Sequence, residues 1–354
     1  MEKYEFDESY YLKHYPDVAD AVRNGQFISG LDHYEKYGRH EGRVVSEVNK
    51  NSIEVDSVVQ NYSQHFMLGD HYENQDKAKI FYVNVEGVPS IFRPDMNIEY
   101  PEKNSLPFEK YFYKKYYELK PETFRTYLPI FWTAYYVNAK YGTDEGAMNK
   151  LQEFIDKLDK TKKYFSFCQY DDGILNDVSG IDLLVYASGS NRPEYYPAPL
   201  LCYPTNAQPF EMAEKDILFS FIGADTHTIR RQLVNQFPDK CSFLPVSHDI
   251  YIDKLKKSIF AICPRGYGIT SFRMFEAMSY GCIPIYVSDQ FWEPFNIPFT
   301  QYGIKIRPEQ IKDIPSICSQ GAGYISQMQK KVEYYYTNYF VYSKAFDAII
   351  KTLQ

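Results

Sequence analysis

The chain has 354 residues, 39 Lys and Arg against 46 Asp and Glu, and a net charge of −7, a balance that excludes a general nucleic-acid coat, which is basic. At 44% hydrophobic and 24% charged it is too apolar to be disordered, and its length predicts two domains with room for an appendage. It contains no apolar run long enough to cross a membrane, and the opening MEKYEFDESYY lacks the apolar core of a signal peptide.

Residues 1–45 predict a small all-helical module. Asp7 is placed to cap a first helix, Pro16 to open a second and Gly25 to stop it. Leu31, Tyr34 and Tyr37 follow at helical spacing, with Gly38 and Gly42 as stops. The run YLKHYPDVADAV followed by LDHYEKYGRHEGR resembles a short module appended to various bacterial proteins. It is expected to dock a partner protein or a second copy of the chain. His14, His33 and His40 read as structural or exposed side chains, not as a metal site.

Residues 46–78 are polar and read as a linker. From there to 205 the pattern predicts a first α/β domain. Its strands are expected at 79–85, 164–168 and 181–186, and its helices at 108–119, 127–140 and 143–158. The last helix places Met148, Leu151, Phe154, Ile155 and Leu158 on one face. A second domain is expected over 206–322. It reads as a strand at 216–222 ended by Gly223, a helix at 226–237, a strand at 258–263, a helix at 271–280 stopped by Gly281, and a strand at 283–287. Strands alternating with helices in this way predict parallel sheets, and two such halves predict two Rossmann-like domains. The segment 323–354 is helical and is expected to pack back on the first domain.

Six cysteines, at 168, 202, 241, 263, 282 and 318, sit in or beside apolar runs with no CxxC pair. They read as buried reduced thiols of a cytoplasmic protein. The 35 Tyr, 25 Phe and 2 Trp fit either surfaces that stack on sugars or the codon usage of an AT-rich genome, and composition leaves both open.

The chemistry concentrates between Ile262 and Pro284, read as strand, Gly-containing loop, helix and strand. Ligands of open α/β sheets bind where strand ends meet helix N-termini, whose free N–H groups attract anions. With Thr270 or Ser271 as N-cap, Arg273 falls in the first helical turn, where a cation opposes the helix dipole by about 0.3–1 kcal/mol. A bound anion would restore the balance. Arg265 in the loop adds a second guanidinium suited to diphosphate oxygens, and Glu276 one turn on suits a ribose diol. An ordinary βα unit with Arg273 and Glu276 as a surface pair fits the same residues. The spacing matches neither a Walker A loop nor GxGxxG.

Pro264-Arg265-Gly266, Ser271-Phe272-Arg273, Glu276-Ala277, Gly281-Cys282-Ile283-Pro284 and Pro294-Phe295 together resemble the exostosin-type glycosyltransferases, family 47. Upstream, Phe219 to Gly223 followed by Ile229-Arg230 resembles the same family's strand-Gly and Ile-Arg pair. Gln169-Tyr170-Asp171-Asp172-Gly173 sits where that family often has His-Asp-x-Gly, with Tyr170 replacing the His. The resemblance implies a GT-B architecture, in which the C-terminal domain binds a nucleotide-sugar and the N-terminal domain the acceptor, and an inverting transfer. It implies that Arg230, Arg265, Gly266, Ser271 and Arg273 bind and stabilise the diphosphate and that Glu276 holds the ribose. Asp171 is the favoured general base, with Glu86 and Asp95 as other candidates; a plain Asp-Asp-Gly turn fits Asp171 equally well.

No Asp-x-Asp triplet occurs, so the carboxylate pair that holds a divalent ion on the diphosphate in metal-dependent transferases is missing. The expected function is therefore a metal-independent transfer to a glycan acceptor from a nucleotide-sugar, a UDP-sugar as is common in the family, with no cofactor and no nucleic-acid partner. Two other readings are a fucosyltransferase-like GT-B enzyme using a GDP-sugar and a catalytically degenerate glycan-binding or scaffold domain. The expected location is cytoplasmic, with peripheral association at the inner face of the membrane if the acceptor is lipid-linked.

Overall fold

The structure is a computed structural model that describes residues 6–38, 87–94, 107–190, 192, 194–202, 210–243 and 248–354. The linker 46–78, the strand at 79–85, His40, Glu86 and Asp95 lie outside the described residues. The chain divides into two units, 1–68 with 244–247, and 69–243 with 248–354.

In the first unit, α1 (Glu8–His14) starts at Asp7, whose carboxylate accepts the Tyr10 amide at 2.8 Å. Pro16 opens α2 (Pro16–Arg23), and Ser29 caps α3 (Gly30–His33), which runs into a wide π-turn ending at Gly38. Tyr11 is fully buried at the centre. Its hydroxyl lies 3.1 Å from Nδ1 of the buried His33, and a β-carbon at Gly38 would collide with that hydroxyl. Glu8 accepts the Gly30 and Leu31 amides at 2.6 and 3.0 Å, tying α1 to α3. His14 stacks on Tyr10.

The second unit carries two wholly parallel sheets among its described residues. The first has the order β1 (Thr126–Tyr127), β2 (Lys163–Cys168), β3 (Asp182–Ala187), β4 (Tyr196–Pro197). Around it lie α4 (Phe108–Leu119), α5 (Trp132–Asn138) and α6 (Glu145–Asp156). The second sheet has the order β6-β5-β7-β8-β9, all parallel. In chain order its parts are β5 (Ile217–Gly223), α7 (Thr228–Gln236), β6 (Cys241–Phe243), α8 (His248–Lys257), β7 (Ser258–Pro264), α9 (Arg273–Ser279), β8 (Ile283–Val287) and β9 (Ile304–Ile306). The helices α10 (Ile314–Cys318), α11 (Ala322–Tyr335) and α12 (Tyr342–Lys351) follow.

This is an α/β architecture of two Rossmann-like halves, each built on a parallel sheet. The reason is visible in β8, all of whose residues are buried: a parallel strand covered on both faces cannot alternate apolar with polar. The expected helix at 127–140 begins later than its apolar spacing suggested. Pro129 disfavours the helical conformation at Leu128 before it, so the chain turns tightly there, with the Ile130 amide donating to the Leu128 carbonyl at 3.0 Å, and Tyr127 pairs with Phe165 instead. Asp144 caps α6 through the Ala147 amide at 3.0 Å. The short strands β6 and β9 and the polar-faced α8 carry too little periodicity to be read from sequence.

Aromatic residues fill the core. Phe112 packs on Phe346 of α12 with ring centroids 4.9 Å apart, and Tyr111 on Tyr342 at 4.8 Å, so the C-terminal helix lies against α4 and the first sheet. All six cysteines are free and buried. No described helix is long and apolar enough to cross a membrane.

Candidate active site

Because every strand in each sheet runs the same way, the strand ends collect the loops that carry chemistry. Five of these loops matter: those after β2 (Gln169–Gly173), β3 (Ser188–Ser190), β5 (Ala224–His227), β7 (Arg265–Ser271) and β8 (Ser288–Gln290).

The loop after β7 is the centre of the arrangement, and it touches the first half of the unit at several points. A β-carbon at Gly268 would strike the Asp171 carboxylate, and one at Gly189 would strike Thr270. The Ile269 amide donates to the Gly189 carbonyl at 3.4 Å. The Tyr267 hydroxyl donates to Asp172 with both carboxylate oxygens at 3.2 Å. Further out, Trp292 Nε1 donates to the Ala198 carbonyl at 3.1 Å. The two halves thus meet along the line where the sequence placed donor and base residues.

Asp171 is partly buried. Burial and the neighbouring Asp172 push its carboxyl up to about 7, against the opposing pull of Arg265 and the Gly268 amide. It is therefore a carboxylate poised to exchange a proton near neutral pH. Just upstream, the buried Glu109 of α4 accepts the Gln169 amide at 2.8 Å and the Thr133 hydroxyl at 2.8 Å. Gln169 in turn accepts the Glu109 amide and donates to the Leu201 carbonyl, each at 3.0 Å. Burial pushes the Glu109 carboxyl up to about 7 despite these bonds. Sequence reading missed Glu109; the signal, a lone acid in a Phe/Tyr-rich helix, is faint.

Arg265 has a buried guanidinium that donates to Asp289 at 2.5 Å and to the Tyr267 carbonyl at 2.9 Å. Burial works against ionisation of Asp289, but the Arg265 bond prevails and holds its carboxyl below the usual range. Asp289 also escaped the sequence reading, although its place just after β8 marks it as a loop residue of the same sheet end. His227 caps α7 by accepting the Ile229 amide at 3.2 Å. Burial, then Arg265, hold its imidazole below its usual value and hence neutral.

The other expected donor residues are differently engaged. Arg230 is buried, and it donates to the carbonyls of Arg265 at 3.0 Å, Ala224 at 2.9 Å and Pro264 at 3.4 Å. It clips the loops after β5 and β7 together. Burial and then Arg273 bring its pKa down to about 9. A β-carbon at Gly266 would sit 3.2 Å from Arg230 Nη2 and 3.3 Å from the Thr226 hydroxyl, so the loop passes tightly over that clip.

Arg273 is the first residue of α9, as its position in the motif suggested. The N-cap is Phe272, with no side-chain cap bond. Ser271 and Thr270 therefore do not cap the helix; the loop is held to Gly189 and turns into the helix one residue later. The Arg273 guanidinium lies over the Phe221 ring at 4.8 Å and near Tyr251 at 5.5 Å, and it donates to the Ile222 carbonyl at the end of β5. Its Nε is buried without a partner. Glu276 is buried and accepts the Tyr251 hydroxyl at 2.9 Å. Burial raises its pKa, with Arg273 and Tyr251 opposing. The surface Arg273–Glu276 pair is thus excluded: both side chains point inward, and Tyr251 of α8 is the partner that sequence could not supply. Among the described residues no cluster of His, Cys, Asp or Glu is arranged to hold a metal ion.

Residues 198–320 match the sequence model of the exostosin GT47 domain. A probable glucuronosyltransferase of Oryza sativa subsp. japonica is 33% identical over 69 residues, 19% of this chain and 16% of the relative. A probable beta-1,4-xylosyltransferase of Arabidopsis thaliana is 30% identical over 69 residues, 19% and 17% of the two chains. The chain therefore spans about a sixth of the length of the curated relatives it matches. Among solved structures, an alpha-glucosyltransferase in complex with UDP and a DNA 13-mer superposes loosely, with a TM-score of 0.36 at 12% identity over 58% of this chain and 75% of the other. Arg230, Arg265, Gly266, Ser271, Arg273 and Glu276 lie inside the matched segment, whereas Asp171, Asp172, Gly189 and Glu109 lie ahead of it.

Proposed function

We propose that this chain is an inverting, metal-independent glycosyltransferase that moves a sugar from a nucleotide-sugar, a UDP-sugar, to a hydroxyl of a glycan acceptor. One observation carries the reading: the Asp171 carboxylate from one half packs against Gly268 in the Pro-Arg-Gly loop of the other. A proton acceptor and a diphosphate-binding element thereby stand in contact. The curated relatives bear glucuronosyl- and xylosyltransferase names, which supports sugar transfer as the reaction class. The UDP preference rests on the resemblance to the family.

The acceptor hydroxyl attacks the anomeric carbon as the bond from that carbon to the diphosphate oxygen breaks. Asp171 takes the hydroxyl proton, and the nucleoside diphosphate leaves with the electron pair and its growing negative charge. Arg265 is oriented by Asp289 to meet that charge. Loop N–H groups share the task, a contribution typically worth a few kcal/mol. Arg273 supplies positive charge from below, and Glu276 is the acceptor for ribose hydroxyls once Tyr251 yields or shares it. Two Arg and the end of an α/β strand then do what a divalent ion does elsewhere, in keeping with the absence of Asp-x-Asp from the sequence.

The test is thermal stability with UDP, GDP, CMP and ADP, each with EDTA and with excess manganese, since a ligand that binds only the folded state raises its stability. A shift with UDP that survives EDTA and is lost in Arg265→Ala is expected. A shift with GDP alone would favour the fucosyltransferase-like alternative. A shift that needs manganese would overturn metal independence, and binding without turnover of any donor would favour the degenerate domain.

A further inference from the structure

Tyr267 is the middle residue of Gly266-Tyr267-Gly268, yet its ring is 52% exposed. Arg265 holds its carbonyl at 2.9 Å, so the backbone that presents the ring is fixed from beneath. Its hydroxyl crosses to Asp172 of the other half. Asp172 is adjacent in sequence to Asp171. Tyr170, on the other side of Asp171, packs edge-on against the buried Tyr136 at 5.2 Å, which locks it at the same loop.

A half-exposed aromatic ring beside a carboxylate is the chemistry that recognises a sugar ring: the apolar C–H face lies on the aromatic ring while neighbouring hydroxyls donate to the carboxylate. Resting on the transferase reading above, we infer that Tyr267 and Asp172 form the subsite for the accepting sugar unit of the glycan. The ring of that sugar stacks on Tyr267, one hydroxyl donates to Asp172, and the reacting hydroxyl faces Asp171. The donor loop thus contributes a wall of the acceptor site, so the acceptor subsite is complete only when the two halves meet.

The site also selects by charge. Two adjacent carboxylates disfavour a uronic acid or phosphorylated sugar in this position. Arg265 acts on Asp171 from one side, and Arg192, exposed beside the loop, donates from Nε to the Asp172 carbonyl at 3.4 Å. Burial, then Asp172, push the Tyr267 hydroxyl up to about 12, and burial with the same carboxylates holds Tyr170 protonated as well. Both phenols are therefore hydrogen-bond donors throughout the working range.

Saturation-transfer NMR with the full chain and UDP tests this, using methyl glycosides of glucose, galactose, N-acetylglucosamine and glucuronic acid as probes. At least one neutral glycoside is expected to bind the unaltered protein, with the strongest transfer to its ring C–H protons. Tyr267→Ala should weaken that binding at least tenfold, Tyr267→Phe at most threefold, and Asp172→Asn about fivefold. UDP binding should stay within twofold in all three variants. Equal glycoside binding by Tyr267→Ala, binding of the glucuronide alone, or binding of no glycoside by a protein that binds UDP would each overturn the subsite. Glycoside binding that follows the expected variant pattern in a protein blind to every nucleotide would uphold the subsite and sink the transferase reading instead.

Discussion

Gly268 lies against Asp171 with no room for a β-carbon between them. One belongs to the loop after β7 and the other to the loop after β2, so a glycine in one half of the molecule is required by a carboxylate in the other. Gly268→Ala should therefore displace Asp171 or the loop. Displacement of a reacting group by about 1 Å costs on the order of a hundredfold in rate. A loss of kcat of that size is expected, with a melting temperature close to that of the parent, in a steady-state assay paired with calorimetry. Unchanged kcat would show that the contact has no part in the chemistry.

The elevated Asp171 carboxyl, at about 7, predicts the pH dependence. A base acts when ionised, so kcat/KM should rise through a limb centred near pH 7. Asp171→Asn should lower kcat by about 10²–10⁴-fold and remove the limb from whatever activity remains. A limb that persists in Asp171→Asn would assign the base to another group.

Glu109 and Asp171 also predict how stability follows pH. Both have folded pKa values near 7, raised from 4.5 and 3.8. The folded state then binds more protons than the unfolded state between those values, so stability falls as pH rises from about 4 to about 7 and levels off above. Glu109→Gln has no charge to bury and should flatten much of that decline. Urea unfolding at pH 5 and pH 8 measures it, and an identical decline in the variant would refute the assignment.

Arg230 fastens three carbonyls of the loops after β5 and β7. Arg230→Ala leaves them unpaired, at about 1–3 kcal/mol each where water cannot replace the donor. Marked destabilisation is expected, and Arg230→Lys should recover little of it, because an ammonium does not reproduce a planar fork. Chemical denaturation with both variants decides whether the side chain is a clip or a phosphate ligand. Near-parental stability with lost UDP binding would favour the latter.

Tyr251 donates to Glu276 at 2.9 Å. Tyr251→Phe removes that bond from a buried carboxylate and should raise the Glu276 pKa further. If Glu276 holds the ribose, UDP affinity should fall by about tenfold, the equivalent of about 1.4 kcal/mol, while binding of inorganic diphosphate stays the same. Isothermal titration with the two ligands separates the outcomes, and equal weakening of both would place Glu276 elsewhere.

Much of the fold was legible because its signals are local. Continuous apolar runs such as 217–222 mark buried parallel strands, Asp7 and Asp144 announce the helices they cap, and Pro264-Arg265-Gly266 with Ser271, Arg273 and Glu276 marks the loop after β7 and the start of α9. Part of the aromatic excess left open in composition is core, as the Phe112–Phe346 and Phe108–Phe167 contacts show. The late start of α5 depended on Pro129, which disfavours the helical conformation at Leu128 and so overrode an apolar spacing that favoured helix.

Local pattern sufficed for the alternation of strand and helix, the parallel sheets that follow from it, the loop that holds Arg265 and Gly266, and the helix that Arg273 opens. These depend on periodicity and near neighbours along the chain. Long-range packing sets the rest: Arg265 pairs with Asp289, Glu276 with Tyr251 and Arg230 with carbonyls, Asp171 meets Gly268, and Tyr267 meets Asp172. Each partner comes from a different strand end or helix. Which ends meet is set by strand order, register and the packing of one half on the other, and periodicity along the chain carries no record of those.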